Sequence, residues 1–263
     1  MNLVNPLNKS TMKVSVITVC YNSEKTIEGT ILSVLNQTYE NLEYIIIDGG
    51  STDNTRAIIN KYKDKISIFI SKADSGIYEA INKGLSVSTG KIISILHAND
   101  IFFNQNTIST VVNYFSEDNI FEVLLGDTFF KENFLNDKVN RHYSARWFKP
   151  WMLKFGISPP HLSTFLTKQT YVNTGFYKTT YKIAGDFEFF IRLFLKNNIK
   201  FKIVNDCFVI MSPGGLSGKS LRSYFTSTKE IIKACRENKI YTNILFVLFR
   251  FPLKLTQYLS KYI

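Results

Sequence analysis

Apolar runs alternate with amphipathic stretches over the first hundred residues. Four short and almost wholly apolar runs have the length and composition of strands buried on both faces: 14–20, 42–47, 66–70 and 91–96. Between them, apolar residues recur at helical spacing in three stretches that begin near Ser23, Asp53 and Ser75. Strands that alternate with helices of this length predict a parallel sheet in an α/β architecture.

Polar residues collect where these strands end. The clusters are Tyr21-Asn22 after the first strand, 48–53 after the second and 97–100 after the fourth. Right-handed crossovers place such strand-to-helix loops at one edge of a parallel sheet, which is the edge where ligands bind. The sequence therefore predicts a ligand site at this edge.

The pattern is less regular after residue 100. Helices are predicted over 107–115 and 182–196, and strands over 123–130 and 201–211. The stretch 131–160 is aromatic, polar and irregular, which is typical of a loop region that faces a substrate.

Length and composition narrow the class of protein. The 263 residues can bury a substantial core, and 22 Phe with 14 Tyr exclude a disordered chain. Three widely spaced cysteines argue against a disulfide framework and against a zinc site. With no secretory signal visible at the start, a reducing, cytoplasmic location is expected.

The net charge of +11 is concentrated at the C-terminal end, where 219–263 hold nine Lys or Arg and two Glu. The stretch 244–251 is apolar but too short to cross a bilayer. From residue 241 onward, Leu, Phe and Ile alternate with Arg250, Lys254 and Lys261, which predicts a helix lying on an anionic membrane surface. Packing on the catalytic domain and a homodimer contact are the alternatives.

Two phosphate-binding motifs are excluded. The segment PGGLSGKS at 213–220 ends like a P-loop, but Pro213 stands where the motif requires its first glycine. A GxGxxG fingerprint is also missing after the first strand, so a dinucleotide-binding domain is not expected. We interpret 213–220 as a glycine-rich loop.

The predicted sheet edge is instead rich in carboxylates and carboxamides. Such hard oxygen ligands suit Mg²⁺ or Mn²⁺, which take one or two carboxylates together with substrate phosphates. Asp100, at the end of the fourth strand, is the candidate ligand. Asp53 precedes a predicted helix after Ser51-Thr52, so we interpret it as a helix cap.

Three blocks together resemble the family 2 glycosyltransferases of GT-A fold. They are VSVITVCYNSEKTIEGTILSVLNQTYENLEYIIIDGGSTDNT, SKADSGIYEAINKGLSVSTGKIISILHAND and IAGDFEFFIRLF, and the likeness runs from about 12 to 217. It implies an α/β domain with a Rossmann-like, mostly parallel sheet over 1–217. Within it, 12–115 would form the nucleotide-sugar half and 116–217 the acceptor half, followed by a basic helical tail over 218–263.

The resemblance also implies a donor site. The loop after the first strand and the end of the second would hold the base and ribose, and Tyr21 would stack on a pyrimidine or else be a packing residue. Asn99-Asp100 falls on the DxD-type motif, where Asp100 is the one remaining carboxylate and the metal ligand. Gly49 is a second departure, since many relatives carry an aspartate there. The nucleotide-sugar residues implied are Val19, Tyr21, Asn22, Glu24, Asp48, Asp74, Asn82, Asn99 and His161.

Asp186 matches the family's general base, which takes a proton from the acceptor hydroxyl in a single inverting displacement. Helix capping is its structural alternative, and Glu188 is a rival base. His161 stands where relatives also carry histidine, near the diphosphate or acceptor, or else is structural.

The resemblance implies an inverting, metal-dependent enzyme with Mg²⁺ or Mn²⁺ as cofactor. It would move a sugar from a nucleoside-diphosphate sugar, with UDP expected, to a saccharide or polyprenyl-diphosphate-linked acceptor at the inner face of the cell membrane. A non-catalytic, degenerate member is the alternative. A nucleic-acid-binding protein is disfavoured because the positive charge lies in an apolar tail.

Overall fold

A computed structural model describes residues 12–117, 120–132, 139–197, 199–212 and 221–252. One nine-stranded sheet with helices packed on it forms the core, in strand order β3-β2-β1-β4-β8-β6-β9-β5, with β7 paired to β6. The strands are β1 (Val14–Cys20), β2 (Leu42–Asp48), β3 (Ile68–Ser71), β4 (Ile92–His97), β5 (Asp100–Phe102), β6 (Val123–Phe130), β7 (Arg141–Tyr143), β8 (Thr164–Thr167) and β9 (Phe201–Met211).

Eight α-helices accompany these strands in the described part of the chain. They are α1 (Ile27–Leu35), α2 (Thr55–Asn60), α3 (Ile77–Val87), α4 (Thr107–Glu117), α5 (Lys168–Thr174), α6 (Gly185–Ile191), α7 (Leu221–Glu237) and α8 (Ile244–Leu248). Short 3₁₀ helices cover Lys63–Lys65 and Pro150–Phe155, and a π-helical turn, Arg192–Lys196, extends α6.

The first four strands are mutually parallel, and helices separate them along the chain. Every residue of β1 is buried, as expected for a strand covered on both faces. Helix α3 lies close against β1 because Gly84 has no side chain; a Cβ there would come within 2.4 Å of Ile17. The predicted α/β class, with a parallel sheet flanked by helices, is confirmed.

The second half of the sheet mixes directions. Strands β6 and β9 are parallel, whereas β8 runs antiparallel to both β4 and β6. The short strand β5 pairs antiparallel with the end of β9, so that Asp100 lies opposite Met211. Sequence periodicity did not predict β5, β7 or β8, because strands of three or four residues carry almost no periodic signal.

The C-terminal helices pack on the domain. Ile231, Ala234 and Cys235 of α7 are buried, and so is Val247 of α8. The hydroxyl of Thr242 donates to the Lys154 carbonyl at 2.6 Å, which ties the start of α8 to the 3₁₀ helix Pro150–Phe155. The predicted division at residue 217 falls outside the described residues and stays a prediction, as do the loop 213–220 and the chain beyond 252. None of the helices described is both long and apolar enough to span a bilayer.

Candidate active site

The ends of β1, β2 and β4 lie side by side in the sheet. Cys20 pairs with Asp48, and Val19 pairs with His97, so the three strands end at the same level. Strand β1 lies between β2 and β4, which makes this point the place where the strand order reverses and where α/β sheets bind ligands. The predicted edge therefore exists.

The loops after β1 and β2 hold each other in place. The backbone N–H of Asn22 donates to the Ser51 hydroxyl at 2.8 Å, and the Asn22 side-chain oxygen accepts from the Thr52 N–H at 2.9 Å. Asn22 has a φ of 47°, in the left-handed region that asparagine tolerates. A Glu24 carboxylate oxygen accepts two bonds from Asn54, each 3.0 Å long. Asn22 and Glu24 thus shape the loops after β1 and β2 through contacts within the protein.

Asp48 is wholly buried, and its carboxylate accepts from the backbone and hydroxyl of Ser51 and from the Ser71 hydroxyl. Val19 is buried in β1. Tyr21, by contrast, is 62% exposed at the end of β1, so its ring is free to stack on a base. The structure brings these residues together, and their contacts with a nucleotide stay a prediction.

Asp74 fills the space beside Gly49. A Cβ on Gly49 would lie 2.9 Å from Asp74 Oδ2, so a larger residue there would displace this carboxylate. Asp74 Oδ1 accepts from the Gly76 N–H at 3.1 Å, while Oδ2 is buried and has no hydrogen-bond partner. A carboxylate is therefore present at this position even though Gly49 supplies none.

Both polar groups of the Asn82 side chain bind within the fold. Its amide nitrogen donates to the Tyr177 carbonyl at 2.7 Å, and its oxygen accepts from the Tyr177 N–H at 2.9 Å. These two bonds fasten α3 to the segment between α5 and α6. A direct role for Asn82 in donor binding stays a prediction.

Asp100 lies at the start of β5, with only 1% of its surface exposed. Its Oδ1 accepts from the Ser212 N–H at 3.2 Å, whereas Oδ2 is buried without a partner. Burial raises the pKa of this carboxyl to about 8. The neighbouring Asn99 is partly buried.

A divalent cation fits this arrangement. In the described part of the chain, no group of three His, Cys, Asp or Glu forms a metal cage. Mg²⁺ and Mn²⁺ do not need one, because they take one or two carboxylates and complete their shell with substrate phosphates and water. The unpartnered Oδ2 of Asp100 is the oxygen that would bind the cation.

Asp186 lies in the first turn of α6, and its side chain is 27% exposed. Its Oδ2 is 3.7 Å from His161 Nδ1, and the His161 ring is 5.3 Å from the His97 ring at the end of β4. Burial lowers the pKa of His97 to about 3; burial also lowers that of His161, although the Asp186 charge opposes the shift. Two neutral imidazoles therefore link Asp186 to the sheet edge.

The loop that carries Asp186 is held from two sides. The Glu230 carboxylate, on α7, accepts from the N–H groups of Lys182, Ile183 and Ala184 at 2.8–2.9 Å. From the other side, the Tyr78 hydroxyl on α3 donates to the Ile183 carbonyl at 2.7 Å and accepts from the Gly185 N–H at 2.8 Å. We call Lys182, Ile183, Ala184, Gly185 and Asp186 the base loop.

Sequence reasoning missed both residues that hold the base loop. The sequence pattern assigns no role to Tyr78 in α3, and nothing in it reveals what the Tyr78 hydroxyl contacts. Glu230 offered a weak signal, since it is an acid within a strongly basic segment.

Glu188, the rival base, lies inside the domain. Its carboxylate is fully buried and pairs with Arg192 and Lys178, each at 3.0 Å. Asp186 is the carboxylate that faces His161, and Ala184 rather than Asp186 occupies the cap position of α6. The helix-capping alternative for Asp186 is therefore wrong, because Asp186 is the second residue of α6 and follows the cap position by two residues.

A family comparison agrees with this geometry. The model of the family described as "Glycosyl transferase family 2" matches residues 15–194. The chain belongs to glycosyl transferase family 2. The match covers the sheet edge, both histidines and Asp186, and it ends before α7.

Curated relatives are named as glycosyltransferases. A "PGL/p-HBAD biosynthesis glycosyltransferase" of Mycobacterium tuberculosis is 26% identical over 186 residues, which cover 68% of this chain and 69% of the relative. An "Uncharacterized glycosyltransferase" of Haemophilus influenzae is 40% identical over 104 residues, which cover 38% of this chain and 32% of that one.

Solved structures share the fold. S. aureus TarS 1-349 in complex with UDP-GlcNAc matches with a TM-score of 0.66 at 20% identity, over 85% of this chain and 66% of that one. Glucosyl-3-phosphoglycerate synthase from Mycobacterium tuberculosis, in complex with Mn²⁺, UDP and phosphoglyceric acid, matches with a TM-score of 0.64 at 16% identity. The match covers 89% of this chain and 81% of that one. The chain thus spans slightly less than two-thirds of the TarS fragment. The GT-A fold is confirmed, and the protein is a glycosyltransferase.

Proposed function

We propose that this glycosyltransferase moves a sugar, with inversion, from a nucleoside-diphosphate sugar to a hydroxyl of its acceptor. The observation that carries this is the partly exposed carboxylate of Asp186, held by the base loop and linked through two imidazoles to the sheet edge. UDP is the proposed nucleotide, supported by the structural neighbours solved with UDP and UDP-GlcNAc. Tyr21 would stack on its base.

The chemistry requires one base and no nucleophilic side chain. As the acceptor oxygen bonds to the anomeric carbon, its proton passes to Asp186, and the bond from that carbon to the diphosphate oxygen breaks. The partial exposure of the Asp186 side chain supports this role. When bound at Asp100, Mg²⁺ or Mn²⁺ would neutralise charge on the donor diphosphate.

The proposed acceptor is a saccharide or a polyprenyl-diphosphate-linked sugar at the cytoplasmic face of the membrane, within surface polysaccharide synthesis. The basic and apolar C-terminal segment supports this, because it suits an anionic membrane surface. A non-catalytic, sugar-nucleotide-binding role is the second candidate, favoured by Asn99 and Gly49 at positions where relatives carry acids.

The test is release of nucleoside diphosphate from a panel of UDP- and GDP-sugars, with Mn²⁺ present and water or simple glycosides as acceptor. For Asp186→Asn we expect kcat to fall 10²- to 10⁴-fold while UDP affinity stays unchanged. Asp64→Asn, which changes an exposed carboxyl distant from the sheet edge, is the matched control. If Asp186→Asn turns over normally, the base is misassigned. Donor binding without any turnover by the wild type would favour the non-catalytic role.

A further inference from the structure

Large apolar side chains are exposed together at the C-terminal end of the described chain. Trp151 contacts Phe155, with ring centroids 5.8 Å apart, and Phe155 stacks on Phe246 at 4.8 Å. The 3₁₀ helix and the α8 segment therefore form one continuous surface. We call its exposed members the apolar patch: Trp151, Tyr241, Ile244, Leu245, Leu248 and Phe249.

The α8 segment is attached to the domain by one face only. Val247 is fully buried, and the Arg250 guanidinium, also buried, donates to the Thr228 hydroxyl on α7 at 2.9 Å. Leu245 and Phe249 are one helical turn apart on another face, and Leu245 is 73% exposed. The fold thus fixes α8 in place and leaves its outer face uncovered by any described residue.

The two sequence segments that supply the patch carry charge of one sign. Residues 139–185, which include the 3₁₀ helix, contain seven Lys or Arg and no Asp or Glu, and 238–263 contain four and none. Lys149 and Lys154 flank Trp151, and both are exposed. An apolar surface whose own segments carry cations and no acids complements an anionic bilayer, whose headgroups attract the cations while its acyl boundary takes up the apolar groups.

We propose that the apolar patch, bordered by Lys149 and Lys154, docks this protein on an anionic lipid bilayer. The binding surface is the outer face of α8 together with Trp151. The sequence predicted a membrane contact for the tail, to which α8 belongs, and the structure adds Trp151 from outside the tail. Tryptophan and tyrosine suit this position, because their rings favour the boundary between headgroups and acyl chains.

Docking at this surface also positions the site. Arg250 ties α8 to Thr228, and Glu230, two residues further along α7, holds the base loop. The bilayer contact and Asp186 thus share one rigid support. The positioning of Asp186 relative to the bilayer rests on the proposed function, in which the acceptor sugar is linked to a lipid. The docking of the patch on the bilayer does not depend on that function.

The experiment is flotation of the full chain with vesicles, either pure phosphatidylcholine or phosphatidylcholine with about a third phosphatidylglycerol. We expect binding to the anionic vesicles that weakens at high salt. Leu245→Glu should reduce partitioning of the protein onto the vesicles at least tenfold, because it replaces an inserted apolar group with a carboxylate, which the anionic headgroups repel. Replacing Lys149 and Lys154 with Gln should reduce it about fivefold each, as expected for the loss of about 1 kcal/mol per cation.

Ile120→Glu is the matched control, since Ile120 is 68% exposed but lies in the connection between α4 and β6, outside the segments that form the patch. It should bind vesicles as the wild type does. Unchanged binding by Leu245→Glu, or no binding by the wild type, would overturn the proposal. A third outcome would also overturn it: light scattering shows that the wild type is a dimer, Leu245→Glu dissociates this dimer, and the wild type does not bind vesicles. The patch would then be assigned to contact with a second copy of this chain.

Vesicle binding needs no donor and no turnover, so its failure is distinct from that of the proposed function. Conversely, Leu245→Glu should keep the wild-type rate of donor hydrolysis in solution.

Discussion

The contact between Glu230 and the base loop offers a sharp test of how the active site is held. One Glu230 oxygen accepts from the Lys182 N–H, and the other accepts from both Ile183 and Ala184. Glu230→Gln preserves the shape of the side chain but turns one acceptor oxygen into a donor amide. Whichever way the amide turns, at least one of the three N–H groups loses its acceptor and faces another donor.

The magnitude follows from these contacts. A hydrogen bond to a charged group contributes about 1.5–3 kcal/mol, and the lost negative charge near the start of α6 adds about 0.3–1 kcal/mol. We therefore expect Glu230→Gln to lower the free energy of unfolding by about 2–4 kcal/mol. Because the base loop carries Asp186, a displacement of about 1 Å would lower kcat by up to about 10²-fold.

Glu230 binds the backbone of the base loop through Lys182, Ile183 and Ala184, so we expect it to act as a positioning residue. The assay compares kcat and KM for donor turnover with the unfolding midpoint in urea. Its control is Glu237→Gln on the same helix, where the carboxylate binds Lys178 and Tyr181 instead of the base loop. We expect Glu230→Gln to lower kcat with the donor KM unchanged, and Glu237→Gln to leave both unchanged. Equal kcat for the two folded variants would refute the reasoning.

Three further predictions concern other carboxyl groups. Burial of Glu43 opposes its ionisation, but hydrogen bonds from Lys13, Ser15 and Thr89 lower its pKa to about 2. As pH falls from about 4.5 to 2, the free energy of unfolding of the wild type should therefore decrease by about 3 kcal/mol. Urea titrations of Glu43→Gln over the same pH range should not show this decrease. Gly49→Ala should weaken UDP binding severalfold by displacing Asp74, with a change in melting temperature of only a few degrees, as calorimetry can show. Asp100→Asn should abolish stabilisation by Mn²⁺. It should leave the metal-free protein at pH 8 at least as stable as the wild type, because it removes a buried ionisable group. If Mn²⁺ still raised the melting temperature of this variant, the assignment of Asp100 as the ligand would be contradicted.

The first half of the fold was predictable because its strands are long, apolar and separated by amphipathic helices. The four parallel strands were located to within about two residues, as periodicity allows. Helix ends were less accurate: α1 begins at Ile27 rather than near Ser23, since residues 23–26 form a turn instead. Strand β5 could not be foreseen, because its partner β9 lies about a hundred residues away in the chain.

The site was predicted in its residue types more than in its contacts. The sequence placed polar residues at the strand ends, and the sheet register brings them together as expected. What the sequence could not show is which of them are already occupied: both polar groups of Asn82 bind Tyr177, whereas one oxygen each of Asp74 and Asp100 has no partner. Such differences arise from tertiary packing, which leaves no pattern along the chain.

The two departures from the family pattern do not remove the acidic character of the site. Beside Gly49, the carboxylate of Asp74 fills the space that an added side chain would need. Beside Asn99, Asp100 is buried with one oxygen unpaired, and burying an ionised carboxyl without a partner costs free energy. In the proposed function, that cost would be offset by a cation and the donor diphosphate bound there. A protein that had lost catalysis would gain stability by replacing Asp100 with an uncharged residue, so a buried, unpaired carboxyl at this edge favours the catalytic interpretation over the degenerate one.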